Sequence, residues 1–427
     1  MSGFYARILK TPNAGSSSTG RGCIITDKPV KHFTPDTFAL TILLGFLTAL
    51  GPLSTDLYLP SLPSIAQHFK ATPGEAQLTL SAYLIGFSCG LPIYGPLSDR
   101  KGRKTVMMFG LVLFGLANAL AAISPDLKAL IGFRLLQGFG AAGPLVVARS
   151  IVRDLYEGRR AAQELARMGS IMGVVPALSP ILGAGLEMAF GWRSNFIASF
   201  LLVAVLAFVA HRRLPETLKE PLKDPFSLLA ILKNYGALIT DSRFLPFGMM
   251  AAATYSGLFA FISGSSFLMQ NHFKLSVIGF AIVFVMMVTG YMVGSYISQR
   301  LAMSHDGRWL MRVGAMLQAA GGFIMLAAVL FLAPHPAAIA LPMMLYSCGV
   351  GFSLPQSMAG AMMPFPERAG TASSLVSILQ MAVASVVGST VGHFIPLGPM
   401  VLASTIAACG LAALFILPLI PRGVKAA

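Results

Sequence analysis

Long apolar stretches, separated by short charged or Pro/Gly-rich breaks, run along most of the chain. A helix rises about 1.5 Å per residue, so about 20 apolar residues cross the hydrocarbon core of a bilayer. By this criterion the pattern predicts twelve membrane-spanning helices, in two groups of six on either side of a polar stretch. The predicted spans are 37–63, 77–98, 104–123, 126–150, 163–188, 193–212, 243–269, 276–300, 309–333, 337–361, 369–395 and 398–420.

Composition agrees with a chain that lies mostly in lipid. Hydrophobic residues make up 55% of the 427 residues and charged residues only 11%, whereas a soluble domain carries roughly 25% charged residues. The 43 glycines suit closely packed membrane helices, because small residues let backbones approach. The four cysteines have neither metal-ligand spacing nor a paired pattern, so we expect no metal site and no structural disulfide. The predicted fold class is an all-α integral membrane protein.

The net charge of +15 could indicate a nucleic-acid partner, so the positions of the bases matter more than their number. If the N-terminus is cytoplasmic, 26 of the 31 Lys and Arg residues fall in inner segments and four in outer loops, and Arg134 alone lies within a span. This bias follows the positive-inside rule. We therefore predict a multi-pass protein of the bacterial inner membrane with both termini cytoplasmic and no nucleic-acid partner.

The polar breaks divide the chain into five predicted segments. These are a tail of 1–36, a six-helix bundle of 37–212, a basic linker of 213–242, a second six-helix bundle of 243–420 and a tail of 421–427. The first tail lacks a signal-peptide core and the Lys-Ser/Thr of a phosphate loop, so neither cleavage nor ATP binding is expected. Two six-helix halves are typical of a carrier with its substrate site between them. A channel or a fused tandem array could share the helix count.

The turn after the second span has a pattern that charge alone does not explain. The stretch 95–104 reads GPLSDRKGRK, with an acid at a helix end followed by four bases. An anchor at the inner membrane surface would account for the bases, but not for Gly95, Asp99 and Gly102 at these spacings. A carboxylate here can pair with bases of the next inner loop or cap another helix. We therefore predict a latch of Asp99, Arg100 and Arg103 that holds one conformation closed.

This stretch resembles the signature loop of the major facilitator superfamily. Four further segments resemble the twelve-helix, proton-coupled drug exporters of that superfamily, in particular the Bcr/CflA group, named for bicyclomycin and chloramphenicol resistance. They are STDLYLPSLP at 54–63, RLLQGFG at 134–140, PALSPILGAG at 176–185 followed by GWR at 191–193, and RAGTASS at 368–374. The resemblance runs from about 37 to 420. It implies the major facilitator fold, with two pseudo-symmetric six-helix bundles.

Only one of the sixteen acidic residues, Asp56, lies deep in a predicted helix. An unpaired charge at mid-membrane costs roughly 2.5–3.5 kcal/mol on insertion scales, so such a residue usually faces a cavity and has a partner. Arg134 is the obvious partner. If Ser124 and Pro125 start the fourth span, Arg134 lies about 13 Å inward, a depth similar to that of Asp56.

Two interpretations of this pair remain open at this point. Burial favours the neutral acid and a nearby guanidinium favours the carboxylate, so changing hydration could make Asp56 load and release a proton. A static ion pair that only fixes helix packing would use the same residues. We favour proton coupling, with Arg134 as the partner, because the second half has no acid in its helices. Glu187 is the alternative acceptor, although its position at the outer end of the fifth span suits a solvated helix end.

Two further sets of residues are assigned from position and residue type. Proline removes a backbone donor and glycine permits close approach, so a hinge is predicted in the fifth span. The hinge residues are Pro176, Pro180 and Gly183. The residues expected to line the substrate cavity are Tyr58, Tyr83, Gln137, Tyr255 and Gln380. Ordinary packing of membrane helices is the alternative for both sets.

The resulting functional hypothesis is a carrier that works by alternating access and exports small amphipathic compounds, such as chloramphenicol- or bicyclomycin-like drugs, in exchange for protons. An exporter of an endogenous metabolite, such as an amino acid, sugar or siderophore, is the nearest alternative. A channel is a second alternative, against which the latch motif argues. A membrane enzyme is a third, but the sequence contains no reactive constellation. The expected partners are the substrate, protons and lipid, without a cofactor or an obligatory protein partner.

Overall fold

Helices account for nearly all of the residues that the structure describes. The computed structural model describes residues 37–222, 224 and 227–421, so the predictions made for 1–36 and for all but the first residue of 421–427 lie outside the described residues. Within the described ranges the chain forms helices and turns without a β-strand. The α-helices are α1 Phe38–Asp56, α2 Leu62–His68, α3 Pro73–Lys101, α4 Arg103–Ala122, α5 Leu127–Leu155, α6 Gly158–Phe190, α7 Arg193–Arg213, α8 Leu228–Ile239, α9 Leu245–Phe267, α10 Val277–Leu301, α11 Gly307–Phe331, α12 Ala337–Met362, α13 Ala369–Phe394 and α14 Pro399–Ile416.

The prediction of twelve membrane spans is confirmed. The described residues contain twelve helical segments that are long and apolar enough to cross a membrane. The first of these, Phe38–His68, consists of α1, a 3₁₀ turn at Leu59–Ser61 and α2. The short helix α8 lies in the linker between the sixth and seventh spans. The division of the chain into bundles at 213–242 stays a prediction.

Helix caps explain why some boundaries differ from the hydropathy windows. α3 begins at Pro73 rather than 77, because Thr72 and Glu75 form a reciprocal capping box: the Thr72 hydroxyl accepts from the Glu75 N–H at 3.3 Å. The start predicted for the fourth span at Ser124 and Pro125 is wrong by two residues. Asp126 is the N-cap of α5, and its carboxylate accepts from the Ala129 N–H at 2.8 Å.

The first span is interrupted where two prolines follow one another closely. A proline lacks the N–H that would bond the carbonyl four residues earlier. Pro60 therefore leaves the Asp56 carbonyl without its helical donor, and Pro63 does the same for Leu59. The regular α-helix ends at Asp56 and resumes at Leu62. We call the residues between them, 57–61, the broken segment.

Close backbone contacts recur at equivalent places in the two halves. In the first half, a Cβ on Gly86 of α3 would collide with the Leu135 carbonyl of α5, and one on Gly138 would collide with the Tyr83 carbonyl. In the second half, Gly290 and Gly294 of α10 face carbonyls of α12 in the same way. Glycine allows these helix pairs to approach within direct backbone contact. This repetition agrees with the predicted pseudo-symmetry.

Contacts between the two halves concentrate at one side of the membrane. The Ser81 hydroxyl of α3 hydrogen-bonds the Ser389 hydroxyl of α13 at 2.8 Å. The backbone of His393, near the end of α13, lies 3.1 Å from the Cβ position of Gly74 at the start of α3. We call this the far side, and the opposite side, which carries the linker, the linker side. A cavity of about 560 Å³ opens on the far side between residues 63–73 and 267–277.

Candidate functional site

Arg134 of α5 is fully buried in the first half and is held by polar groups of three helices. Its Nη1 donates to the Gln137 Oε1 at 2.5 Å and to the Ser54 hydroxyl at 3.4 Å. Its Nε donates to the Thr79 carbonyl at 3.4 Å. Its Nη2 is buried and has no hydrogen-bond partner in the described part of the chain. The guanidinium is therefore fixed in position, with one donor unused.

Aromatic rings complete the surroundings of this charge. The Arg134 Cζ lies 4.5 Å from the ring centroid of Tyr83, 4.7 Å from that of Tyr58 and 6.0 Å from that of Phe196. A cation over a ring face is attracted by the ring quadrupole, and more strongly when both are desolvated. The aromatic rings thus provide part of the stabilisation that a carboxylate would otherwise supply.

The hydrogen bonds around Arg134 extend across the first half. Gln137 Nε2 donates to the Ser54 hydroxyl at 2.8 Å and to Asn118 Oδ1 at 2.6 Å. The Tyr58 and Thr79 hydroxyls lie 2.5 Å apart. The sequence predictions did not include Ser54, Thr79 or Asn118. Asn118 could have been found, because it is an isolated amide in the apolar stretch that makes up the rest of α4 after its first three residues.

The predicted pairing of Asp56 with Arg134 is not present in this conformation. Asp56 is 5% exposed, and its Oδ1 accepts from the Thr55 hydroxyl at 3.2 Å. None of the ion pairs between described residues joins it to Arg134. Helix phase is the reason. At about 100° per residue, Ser54 and Tyr58 share the face of the first span that meets Arg134, and Asp56 lies on the opposite face.

The charge of Asp56 acts on tyrosines of both halves. It lies within electrostatic range of the Tyr83 side chain in α3 and of the Tyr255 side chain in α9. Tyr255 in turn stacks on Phe259, with ring centroids 6.2 Å apart. The roles predicted for Asp56 and Arg134 stay predictions; both residues lie near Tyr83, but no ion pair between described residues joins them.

The predicted cavity residues fall into two groups. Tyr58, Tyr83 and Gln137 are almost completely buried around Arg134, whereas Tyr255 and Gln380 belong to the second half. Gln380 is 5% exposed, and its Nε2 has no partner among the described residues. The structure thus brings three of the five together, and their contact with a substrate stays a prediction.

Glu187 does not resemble a solvated helix end. It is half-buried, and its carboxylate accepts a hydrogen bond from the hydroxyl of Ser61, which is fully buried in the broken segment. Asn195 Nδ2 of α7 donates to the same hydroxyl at 2.7 Å. One turn before Glu187, a Cβ on Gly183 would collide with the Leu57 carbonyl. α6 therefore contacts both ends of the broken segment, at Leu57 and at Ser61.

The predicted hinge lies in this same helix. α6 runs without a break through Pro176 and Pro180. Pro180 is buried and Pro176 is half-buried. Gly183 lies in close contact with the broken segment, and hinge motion stays a prediction.

The turn on the linker side forms a compact charged cluster around Arg103. This side chain makes an ion pair with Asp99 and a second, at 2.8 Å, with Asp154 at the end of α5. Arg103 also donates to the Ser98 hydroxyl at 2.7 Å. Arg100, by contrast, donates to the Pro96 and Asp224 carbonyls, both at 2.8 Å. Asp154 was not among the predicted residues, because a carboxylate near an inner helix end is ordinary in sequence.

The linker completes this cluster. The Glu216 carboxylate accepts from the N–H groups of Arg103 at 2.8 Å and Lys104 at 3.1 Å, and thus caps α4. Gly102 has a φ of +95°, and a Cβ there would lie 2.6 Å from Glu216 Oε2. This position therefore requires glycine. Gly95 is less constrained, since its Cβ position lies 3.7 Å from the nearest atom, on Val146. The Asp99 carbonyl accepts from the Leu222 N–H of the linker at 2.9 Å, so this residue joins the first half to the linker.

Comparisons with known proteins agree with this architecture. Residues 44–389 match the family model described as Major Facilitator Superfamily. The chain is 31% identical over 343 residues to Multidrug resistance protein D of Escherichia coli, covering 80% of this chain and 85% of that protein. It is 27% identical over 356 residues to the Bicyclomycin resistance protein homolog of Haemophilus influenzae, covering 83% and 89% respectively.

Solved structures share the fold at lower sequence identity. The xylose transporter XylE from E. coli, in a partially occluded inward open conformation, matches with a TM-score of 0.71 at 14% identity. The match covers 90% of this chain and 98% of that chain. The family model matches most of the sequence, and twelve apolar helices carry the fold. The chain therefore belongs to the major facilitator superfamily of membrane transporters.

Proposed function

We propose that this protein exports small amphipathic compounds in exchange for protons, by alternating access across the bacterial inner membrane. Chloramphenicol- or bicyclomycin-like drugs are the proposed substrates. Two relatives, each matched over more than four fifths of its length, carry names that refer to multidrug or bicyclomycin resistance. Their names support the substrate class, and the residues around Asp56 support the coupling to protons.

The observation that carries the proposal is the environment of Asp56. It is the one acid deep within the described spans, it is 5% exposed, and it has no described ion-pair partner. A buried carboxylate without a counter-charge is costly, and a bound proton removes that cost. Asp56 also ends α1 directly before the broken segment. A change in its charge would therefore act where the first span is least regular.

The charge of the Asp56 carboxylate acts on side chains of both halves. Tyr83 belongs to the first half and Tyr255 to the second, and both lie within electrostatic range of Asp56. A proton on Asp56 would remove a negative charge that lies near side chains of both halves, and we infer that this couples the proton to the relative position of the halves. Arg134 retains its charge and its aromatic surroundings throughout, so we assign it the positioning of Tyr58 and Tyr83.

The orientation of the protein follows from the distribution of its bases. The linker side carries the clusters at 100–104 and 212–219, whereas the far side carries few bases. By the positive-inside rule, the linker side and both termini are cytoplasmic. Protons would then enter from the far side, where the described contacts between the halves lie, and leave on the linker side.

The experiment compares inverted vesicles that contain the wild type, Asp56→Asn or Asp126→Asn. The vesicles carry a pH-sensitive dye and a proton gradient, and chloramphenicol or a lipophilic cation is added. Asp126→Asn is the matched control, since Asn caps a helix about as well as Asp. We expect substrate-dependent loss of the gradient in the wild type and the control, and none in Asp56→Asn.

Other outcomes reject separate parts of the proposal. A wild type that is silent to every drug but responds to an amino acid, sugar or siderophore would identify a metabolite exporter. An Asp56→Asn variant that responds fully would move the proton site to another residue, of which Glu187 is the first to test.

A further inference from the structure

The linker helix α8 has an apolar surface that the rest of the chain leaves uncovered. On one face, Leu238 is 2% exposed and belongs to a core cluster with Leu375 and Val376 of α13. The Tyr235 side chain, on the same face, packs against this cluster. α8 is therefore docked on the second half by this face. A second, adjacent face points away from the protein.

The uncovered face is a stripe of large aliphatic side chains. Their exposed fractions are 50% for Leu228, 77% for Leu229, 56% for Leu232 and 37% for Ile239. At about 100° per residue these four side chains share one arc of roughly 100°, next to the docked face. We call them the leucine stripe. Exposed leucines aligned in this way are costly in water, so the stripe requires a cover.

Polar residues occupy the remaining face of α8. Lys233 and Asn234 are exposed and lie on the side opposite the docked and apolar faces. The helix thus presents one face to the protein, one apolar face outward and one polar face with a base. A helix with leucines on one side and a base on the other is typical of segments that lie in a membrane interface.

The position of α8 places it at the boundary of the bilayer. α8 ends at Ile239 and the seventh span begins at Leu245, so only 240–244 separate them. The linker is also held to the linker side of the first half, because the Leu222 N–H bonds the Asp99 carbonyl at 2.9 Å. That side carries the exposed bases Lys101 and Lys219. Such bases are complementary in charge to anionic lipid phosphates.

We propose that α8 lies in the interface of the leaflet on the linker side. The leucine stripe is buried among the acyl chains, and Lys233 lies at the level of the lipid phosphates. Through Tyr235 and Leu238, the bound lipid surface holds the first turns of α13. This inference depends on the position of α8 and not on which compound the protein transports.

The test measures how deeply each face of α8 is immersed in lipid. Leu229→Trp, in the stripe, is compared with Ala237→Trp, on the polar side, in a background with Trp309→Phe. The full chain is placed in vesicles of phosphatidylcholine and phosphatidylglycerol whose acyl chains carry bromine, which quenches tryptophan on contact. After subtraction of the background protein, we expect about threefold stronger quenching at 229 than at 237.

Two further results separate lipid from other covers. Lys233→Gln, or vesicles without phosphatidylglycerol, should reduce the quenching at 229 if the charged headgroups help to hold the helix. Equal quenching at the two positions, or none at 229, would overturn the proposal. If position 229 is quenched only weakly in these vesicles and is shielded only in native membranes, its cover is a protein partner and not lipid.

Discussion

Gln270, in the second half, donates a hydrogen bond of 2.9 Å to the carbonyl of Pro60 in the broken segment of the first span. The same glutamine lines the far-side cavity. The broken segment is therefore held from both halves. Gln270 of the second half bonds Pro60, and Glu187 and Asn195 of the first half bond Ser61. Any motion that separates the halves on the far side must break the bond to Pro60.

Loss of this bond should favour an open far side. The reporter is Ser64→Cys, at a residue that lines the far-side cavity, in a background in which the native cysteines are replaced by serine. A membrane-impermeant maleimide is added, and we expect the reporter cysteine to be labelled faster when Gln270→Ala is also present. One hydrogen bond is worth about 1 kcal/mol, so the labelling rate should rise about fivefold. Gln299→Ala, an exposed glutamine of α10, is the control. An unchanged rate would show that the bond does not limit opening.

Arg134 should not be replaceable by lysine. The guanidinium reaches Gln137, Ser54 and the Thr79 carbonyl at once and lies over two tyrosine rings. An ammonium keeps the charge but not this planar set of donors. We expect Arg134→Lys to reduce drug transport at least about tenfold in vesicles, with the protein still folded. Near-normal transport would mean that only the charge matters.

Gln137→Leu should destabilise the first half. It removes an acceptor from Arg134 and a donor from Asn118, and leaves buried polar groups unpaired. The expected loss is about 2–3 kcal/mol of unfolding free energy, measured as a lower midpoint of thermal unfolding in detergent. Gln163→Leu, an exposed position on α6, should shift the midpoint little. Equal shifts in the two variants would argue against the network.

The contact of Glu187 with the broken segment can be tested by two substitutions at one site. Glu187→Gln keeps an oxygen that accepts from Ser61, whereas Glu187→Leu leaves that buried hydroxyl without its acceptor. We expect the leucine variant to be less stable by about 1–2 kcal/mol and the glutamine variant to remain near the wild type. If glutamine destabilises as much as leucine, the charge of Glu187 is needed and not only its oxygen.

Glu216 should protect the start of α4. Its carboxylate bonds the N–H groups of Arg103 and Lys104, which have no helical acceptor. We expect Glu216→Ala to accelerate hydrogen exchange in a peptide that contains these two amides, at a cost of about 1 kcal/mol to the local structure. Glu220→Ala changes an exposed acid of the same linker and should leave that peptide unaffected.

Particular residues show where the sequence was sufficient and where it was not. A latch of Asp99, Arg100 and Arg103 was predicted at this turn and stays a prediction; within it, Arg103 forms an ion pair with Asp99. Its partners Asp154 and Glu216 are far away in sequence, so local spacing could not indicate them. Glu187 was assigned to a solvated end, because a hydropathy window records the depth of a residue and not what its side chain faces.

The sequence by itself determined the twelve spans, because the length and apolarity of each segment decide whether a helix can cross a bilayer, whatever its neighbours are. The break in the first span was not among the predictions, because a proline need not end a helix: α6 runs unbroken through Pro176 and Pro180, whereas α1 ends before Pro60. Only the tertiary structure decided which charges meet. Asp56 and Arg134 are close in predicted depth, but the rotation of the first span about its axis turns Ser54 and Tyr58 toward Arg134 and leaves Asp56 without an ion pair to it among the described residues. Packing between helices sets that rotation, and depth in the membrane does not.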